Sequence, residues 1–401
     1  MLKLVLGASG SGKTTLLYAR IRARAEAGKH SILLVPEQFT SSTEARIYRE
    51  LGDALSGMVE SYSFTSLAEH ILAALGGAAV QTLTDAGRAV LVRRALEELQ
   101  DNVHYYYRHR RSAAFCQMAA ETIDELKSAG LSGQQLQELA RDCGTESAKL
   151  GELALIFQGY ESLLAGTGMD PADRLELAAD RLEAALARDE LPDFLREREV
   201  FIDEFDTFNA PKKRLMGAML AALPAVTVAL CEDGAPMQPG DLELFSGAKQ
   251  VAAQLRQLAR KNGAQVAAPE LLRRDLRHKE APGLAALTEL LETGSCTPPE
   301  SAPELRLFAA ASREEEARCA AAAIRRLMRQ GVRCGKIAVV CRDISLYRAA
   351  VRYEFRMAEI PLYCDEPTTP EFSAPATAVR ALLALLRGAD MTEQLTVLAK
   401  T

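Results

Sequence analysis

Leu2-Lys3-Leu4-Val5-Leu6-Gly7-Ala8-Ser9-Gly10-Ser11-Gly12-Lys13-Thr14-Thr15 joins a short apolar run to a glycine loop. The loop satisfies GxxxxGK[ST] at each defined position. Residues 14–27 then carry Leu16, Leu17, Ala19 and Ile21 at helical spacing. Strand, loop and helix in that order form the setting in which such a loop cradles phosphate. Gly7, Gly10 and Gly12 let backbone N–H groups turn inward onto phosphate oxygens, and the helix start adds its positive end. Lys13 neutralises phosphate charge and the Thr14 hydroxyl ligates Mg²⁺. Gly7, Ala8, Ser9, Gly10, Ser11, Gly12, Lys13, Thr14 and Thr15 are therefore read as nucleotide-binding residues, with ATP and Mg²⁺ as the cofactors. The competing reading is a plain glycine turn between strand and helix, and the completeness of the motif argues against it.

Outward from the loop, the pattern continues to alternate. Ser31-Ile32-Leu33-Leu34-Val35 before Pro36 reads as a buried strand, residues 43–51 as a helix, 59–64 as a third strand and 65–75 as a helix. Alternating strand and helix predicts a doubly wound parallel sheet with its ligand at the strand C-termini. From residue 84 to about 188 the apolar residues instead recur at three and four, as in Ala89, Val90, Val92, Ala95 and Leu96, and no strand-like run appears. The sheet resumes at Glu199-Val200-Phe201-Ile202-Asp203 and at Ala225-Val226-Thr227-Val228-Ala229-Leu230. The expected fold class is thus α/β: a RecA-like P-loop parallel sheet over residues 1–83 and 189–265, split by an all-helical insert at 84–188. Pro269, Pro282, Pro298, Pro299 and Pro303 mark 266–303 as a linker or crossing segment. Residues 304–401 read as the beginning of a second RecA-like unit, with strands at 304–309, 336–341 and 360–364 and helices between them. The last helix, at 375–388, leads to Lys400-Thr401 without a recognisable ending, so this unit is expected to be cut mid-domain.

A phosphate loop needs a carboxylate partner at the end of a neighbouring strand. Val200-Phe201-Ile202-Asp203-Glu204 offers two: Asp203 to hold Mg²⁺ through water, and Glu204 as the catalytic candidate that polarises attacking water. A solvated strand end with acidic caps is the bland alternative. The long separation between Lys13 and Asp203 demands an inserted domain between the two motifs.

Composition bounds the classes. Of the 401 residues 48% are hydrophobic and 25% charged, which excludes disorder and fibres, and 401 residues are too many for one ordinary core. A net charge of −6 argues against gripping nucleic acid by bulk electrostatics, although a local groove on an acidic protein can be basic. No segment approaches the roughly eighteen apolar residues of a membrane span, and the first apolar run is too short for a signal peptide, so a cytoplasmic protein is expected. Eight cysteines without a CxxC pair suggest neither zinc ribbon nor disulfide framework, and five histidines show no HxxxH or HxH spacing.

At this point the sequence resembles superfamily-one DNA helicases of the UvrD type, and more closely the AddB/RexB family, the B subunits of bacterial ATP-dependent helicase/deoxyribonuclease complexes. Leu33-Leu34-Val35-Pro36-Glu37-Gln38-Phe39-Thr40 resembles that family's second motif, and Ser61-Tyr62-Ser63-Phe64-Thr65-Ser66-Leu67 its next DNA-contacting loop. Met169-Asp170-Pro171-Ala172-Asp173-Arg174-Leu175 is similar to the segment before the acidic strand, and 201–209 to the DExx box with its following Phe. Ser312-Arg313-Glu314-Glu315-Glu316-Ala317 and Ile337-Ala338-Val339-Val340-Cys341-Arg342-Asp343 resemble the opening of a second motor domain. There are departures. Only residues 1–6 precede the loop, where superfamily-one helicases place a glutamine motif. Cys231-Glu232-Asp233-Gly234 stands where a motif joining ATP to DNA belongs, and Gln238 is a poor γ-phosphate sensor.

The resemblance implies a helicase-like portion of a heterodimeric helicase/exonuclease subunit, acting in double-strand-break end processing and recombinational repair. It implies binding of ATP and single-stranded DNA with little motor activity alone, and a partner of the AddA/RexA motor type working on single- and double-stranded DNA ends. Phe39, Thr40, Phe64 and Thr65 are the DNA contacts it implies. A nuclease domain and an iron–sulfur cluster are implied only for a C-terminal region outside these residues.

Tyr105-Tyr106-Tyr107-Arg108-His109-Arg110-Arg111 mixes rings and positive charge as a single-stranded nucleic-acid groove does, but packing of a loop in the helical insert explains it as well. The Arg313–Glu316 charge run is most simply a solvated helix start. Two further readings remain open: a P-loop kinase or other phosphotransferase, and a nucleotide-binding scaffold without hydrolysis.

Overall fold

Leu2–Gly7 forms β1 and Lys13–Glu26 forms α1 in the computed structural model, which describes residues 1–77, 79, 81–109, 111–235, 244–364 and 373–401, and of Tyr107 only the backbone. The chain continues through β2 (Ser31–Leu34), α2 (Thr40–Leu51), a short α3 (Asp53–Ser56), β3 (Val59–Tyr62) and α4 (Phe64–Leu75). The helices α5 (Asp85–Glu98), α6 (Ala113–Ser128), α7 (Gly133–Arg141), α8 (Ser147–Leu164) and α9 (Pro171–Ala187) come next. They lead into β4 (Glu199–Ile202), α10 (Ala210–Ala222), β5 (Ala225–Cys231), α11 (Ser246–Lys261), β6 (Glu270–Leu272) and α12 (Pro282–Thr293). The protein is α/β, with a six-stranded sheet ordered β3-β2-β4-β5-β1-β6 in which every pairing is parallel.

Parallel strands are covered on both faces, and here the side-chain alternation of each strand assigns the covers. Leu2, Leu4 and Leu6, Ile32 and Leu34, Val200 and Ile202, and Val226, Val228 and Leu230 all face one core with α4, α9, α10 and α11. Val5, Leu33, Phe201 and Ala229, the residues in between, face a second core with α1 and α2. Each fully buried Leu, Ile or Phe contributes about 1.5–3 kcal/mol, so register is fixed: a one-residue slip would carry every one of these side chains to the wrong face. The same alternation directs the residues just past the strand ends. Asp203, one past Ile202, is directed to the α1–α2 side, whereas Glu232, one past Cys231, is directed to the α10–α11 side.

A separate apolar cluster joins α5, α6, α7 and α8 through Val92, Leu96, Phe115, Ile123, Leu136, Phe157 and Tyr160. Helix α9, grouped by its sequence with that bundle, instead places Leu175, Ala178, Ala179 and Leu182 in the sheet core. Asp170, at its N-cap, is 2% exposed and accepts from Lys127 Nζ at 2.8 Å and from the Tyr160 hydroxyl at 2.6 Å. Lys127 also reaches Asp173 at 2.8 Å.

Two sequence expectations differ from the structure. Residues 270–272, read as linker, pair with Val5, Leu6 and Gly7 as an edge strand, because Leu271 and Leu272 supply apolar surface to the sheet despite the prolines around them. Residues 305–401 form a second compact unit, with helices α13 (Arg313–Arg329), α14 (Ile344–Met357), α15 (Ala374–Leu386) and α16 (Met391–Ala399). The strands expected at 304–309, 336–341 and 360–364 are not formed among the described residues. A parallel strand needs a hydrogen-bonded neighbour, and these segments have none among the described residues; Leu307 is fully exposed and Val340 is 91% exposed. The core of this unit lies between α13 and α14, at Ala317, Ala321, Ile324, Val351 and Phe355.

Candidate functional site

Between Gly7 and Lys13 the backbone makes its turn with Gly10 at φ 80° and Gly12 at φ 92°, the left-handed region that glycine enters without steric cost. Gly12 is the N-cap of α1 and has no side chain to satisfy the first helical N–H groups, which leaves them facing the loop. Gly7 has a different reason to be glycine: a Cβ there would lie 2.4 Å from Ser11 Oγ and 2.8 Å from the Leu272 carbonyl oxygen. Ser11 is itself 5% exposed and its Oγ has no hydrogen-bond partner in the structure. Lys13 Nζ donates to the carbonyl oxygens of Gly7 and Ala8 at 2.7 and 2.8 Å, which holds the ammonium across the mouth of the loop. Desolvation pushes its pKa below the usual lysine value, opposed by Asp203 among its neighbours.

Asp203 arrives from β4, which is separated from β1 by β5 alone, and its N–H donates to the Leu34 carbonyl oxygen at 3.0 Å. At 5% exposure it is the buried acid of the cleft. Glu204 sits at φ 64°, and its N–H donates to Asp203 Oδ1 at 3.0 Å. Protein atoms crowding the Glu204 carboxyl push its pKa upward and the Asp203 charge adds to the effect, while Arg46 opposes it. Behind the acids, Phe205 stacks on Phe208 with ring centroids 5.3 Å apart, and Phe64 meets both edge-on.

These groups line one open cavity of ≈ 530 Å³, which takes in Ser9, Gly10, Gly12, Lys13, Thr14, Thr15, Asp203, Glu204, Cys231, Arg46 and Arg277. A second cavity of ≈ 510 Å³ shares Thr14, Arg46, Asp203 and Glu204 and extends along α2 past Tyr18, Gln38, Phe39 and Arg49. Inward N–H groups at a helix start and a lysine favour an anion, and a hydroxyl beside a buried carboxylate suits a hard divalent cation.

Of the nine sequence-derived nucleotide residues, Ser9, Gly10, Gly12, Lys13, Thr14 and Thr15 line one cavity with both acids, while Gly7 and Ala8 meet it through their carbonyl bonds to Lys13. Of the DNA contacts implied by resemblance, Phe39 is 36% exposed on the wall of the second cavity, and Thr40 begins α2 with its hydroxyl donating to the Glu37 carbonyl oxygen at 3.0 Å. Thr65 is exposed in the first turn of α4, which Ser63 and Ser66 close with a capping box. Phe64 corrects its expectation. At 2% exposure, under Phe205 and Phe208, its ring is packing rather than a DNA contact. The tyrosine cluster is a braced loop, because Glu152 accepts the N–H groups of His104, Tyr105 and Tyr106 at 2.8, 2.7 and 3.1 Å and Tyr106 packs on Phe115. Arg110, the Tyr107 side chain and Gln238 lie outside the described residues.

Sequence reasoning missed Arg46, Tyr18 and Arg277. Arg46 lies 4.9 Å over the Tyr18 ring and lines both cavities. Its signal is present in the helix period, because Ser42, Arg46 and Arg49 come at intervals of four and three on one face of α2. Arg277 lies just past β6, and nothing in its local sequence announces it.

No helix among the described residues is long and apolar enough to cross a membrane. The family model described as "ADDB, N-terminal" matches residues 4–288. Among curated proteins, the chain is 34% identical over 381 residues to the B subunit of the ATP-dependent helicase/deoxyribonuclease of Desulforudis audaxviator, a match that covers 91% of this chain and 32% of that protein. The same-named proteins of Moorella thermoacetica and Symbiobacterium thermophilum are 33% and 32% identical, over 91% and 95% of this chain and 32% and 34% of theirs. The chain therefore spans about a third of the length of the curated relatives it matches.

Proposed function

Because the chain belongs to the AddB family and corresponds to its N-terminal region, we propose that it is the ATP- and single-stranded-DNA-binding, helicase-like portion of a two-subunit helicase/deoxyribonuclease that processes DNA ends. The observation that carries this reading is the convergence of Lys13, Thr14 and Asp203 on one cavity across β5, with β1 and β4 each ending there. The P-loop strand and the acid strand flanking one intervening strand is the arrangement of a RecA-like nucleotide fold, and residues 1–83 with 189–265 are assigned to it. Residues 84–188 are its helical insert, whose last helix α9 returns to the sheet core, and 266–303, which adds the edge strand β6, is its crossing segment; 304–401 begin a second unit.

In this reading the N–H groups of residues 8–15 and Lys13 hold the triphosphate. Thr14 and Asp203 hold Mg²⁺, and Glu204 orients water. Burial and the neighbouring Asp203 charge raise the proton affinity of its carboxylate, which favours the role of base. Phe39, Thr40 and Thr65, at the ends of β2 and β3, lie where single-stranded DNA would pass. The motor partner is of the AddA/RexA type, and the protein works in the cytoplasm on double-strand ends. Phosphoryl transfer draws roughly 10³–10⁵ in rate from an arginine on the transferring group. In this reading that arginine is supplied by another part of the complex, so the chain alone binds ATP and turns it over slowly.

Fluorescence titration with a labelled single strand at two salt concentrations, run beside an ATPase assay, tests the reading. Binding that weakens with salt, together with slow turnover, is expected. A protein indifferent to DNA contradicts the helicase-like reading, and fast DNA-stimulated turnover that Lys13→Ala abolishes contradicts slow hydrolysis.

A further inference from the structure

The loop that joins α5 to α6 is fastened from within. Val103, 1% exposed, anchors it in the core of the helical bundle, and Glu152 of α8 collects the N–H groups of His104, Tyr105 and Tyr106. The Tyr106 and His109 rings lie 5.2 and 5.8 Å from the Phe115 ring, and the His109 N–H closes a turn on the Tyr106 carbonyl oxygen at 2.9 Å. None of this bracing uses the side chains of Tyr105, Arg108 or Arg111. Tyr105 leans edge-on against Tyr106, with centroids 4.9 Å apart, yet stays 58% exposed. Arg108 and Arg111 are exposed and have no acidic partner among the described residues. The cations of α5 differ: Arg88 pairs with Asp85 and Asp124, Arg93 with Glu97 and Arg94 with Glu98. The two acids that face Tyr106 are themselves engaged, Glu152 by the backbone and Glu146 by Lys149 at 3.7 Å.

Resting on the single-strand reading of this chain, we propose that Tyr105, Arg108 and Arg111 form a further contact for single-stranded nucleic acid, carried by the helical bundle rather than by the strand ends of the sheet. With a net charge of −6 the protein repels a polyanion in bulk, so a strand is held where cations are free of internal acids. Arg108 and Arg111 can each take a phosphate oxygen and release a counterion without breaking an ion pair, which Arg88, Arg93 and Arg94 cannot do. The Tyr105 ring decides the class of ligand. An acidic protein surface would use the two guanidiniums and has no need of the ring, and a duplex hides the faces of its bases. A single strand offers phosphate and base face together. Because Glu152 and Phe115 already hold the loop, little ordering is left to oppose binding.

Fluorescence anisotropy of the full chain with labelled oligothymidylate and with a labelled duplex, over a range of salt, tests the assignment. The proteins compared are the parent, Tyr105→Ala, Tyr105→Phe, the double variant Arg108→Gln/Arg111→Gln and, as a control, Arg93→Gln/Arg94→Gln, which removes the same charge from paired positions. Tyr105→Ala is expected to weaken the single strand about fivefold or more and to leave the duplex unchanged, while Tyr105→Phe, which keeps the ring, binds as the parent does. The Arg108/Arg111 variant is expected to lower the slope of log affinity against log salt by about 1.4, and the control to keep the parent's slope. Melting temperatures stay at the parent's value, since the three side chains brace nothing. Parent-like single-strand binding by either Tyr105→Ala or the Arg108/Arg111 variant overturns the proposal and leaves the single-strand reading standing. Equal slope losses in the two double variants overturn it by making the effect one of bulk charge, and an equal affinity loss in Tyr105→Phe overturns the stacking role. A parent protein that binds no single strand overturns the single-strand reading itself, and the proposal with it.

Discussion

Glu204 donates its backbone N–H to the Oδ1 of Asp203 at 3.0 Å while its own φ is held at 64°. The bond fixes the Asp203 carboxylate at the end of β4, and the left-handed turn sends the next carboxylate in a different direction. Two acids adjacent in sequence are thereby separated in role: one buried in the wall of the cavity that Thr14 also lines, the other less buried there with its proton affinity raised.

For Asp203→Asn the expected outcome is a loss of Mg²⁺-dependent nucleotide affinity. Binding in Mg²⁺ falls by about tenfold or more, whereas binding in EDTA is unchanged or slightly stronger because a negative charge facing the phosphates has been removed. Equal losses with and without Mg²⁺ would show that Asp203 does not act through the metal.

Glu204→Gly is expected to stabilise the fold. Holding a non-glycine residue in the left-handed region costs about 1–3 kcal/mol, and glycine's extra unfolded-state freedom takes back about 0.5–1 kcal/mol. The balance favours the variant by about 1 kcal/mol, or a rise of about 2–4 °C in thermal midpoint. The same variant should lose hydrolysis, a pairing that a purely structural Glu204 would not produce.

Glu232 gives the pH prediction. It is 5% exposed with Oε2 lacking a partner, and burial pushes its carboxyl pKa up, with Arg256 and Lys249 only partly offsetting this. A carboxyl that holds its proton more tightly folded than unfolded contributes stability that is present below its unfolded value and lost as pH rises through its folded value. Glu232→Gln, which cannot ionise, should therefore melt higher than the parent at about pH 8, and the difference should shrink toward zero near pH 4. A pH-independent difference would assign the effect to packing instead.

Lys127 is the cation of a buried cluster with Asp170 and Asp173, at 9% exposure. Removing one partner strands a buried charge, so Lys127→Met should destabilise by about 3–5 kcal/mol. Adding Asp170→Leu should restore part of that loss, although Tyr160 would then lose its acceptor. Thermal melts of the four proteins of this cycle measure the coupling, and strict additivity would refute the cluster's role.

Much of the fold was legible because its signals are local. The glycine loop, the apolar runs of β1, β2, β4 and β5 and the acid after Ile202 each carry their own chemistry, and strand alternation alone directs Asp203 to the face of α1. The illegible parts depend on distant partners. The edge strand at 270–272 exists only because β1 offers it a ladder, and Arg277 reaches the loop only because that strand places it there. Phe64 reads from the sequence as the last residue of a strand, and only the rings of Phe205 and Phe208, far along the chain, make it core at the start of α4. The apolar runs at 305–309 and 337–341 had strand composition, yet a strand is defined by its neighbour, and none stands beside them among the described residues.

The central claim is that the cleft between β1 and β4 binds a nucleoside triphosphate with Mg²⁺ through Lys13. Isothermal titration of the parent and Lys13→Ala proteins with ATP and Mg²⁺ tests it most directly. Saturable one-to-one binding by the parent, weakened at least about tenfold in a Lys13→Ala protein of unchanged melting temperature, is the predicted result. Binding that is equal in the two proteins, or absent from the parent, would contradict it.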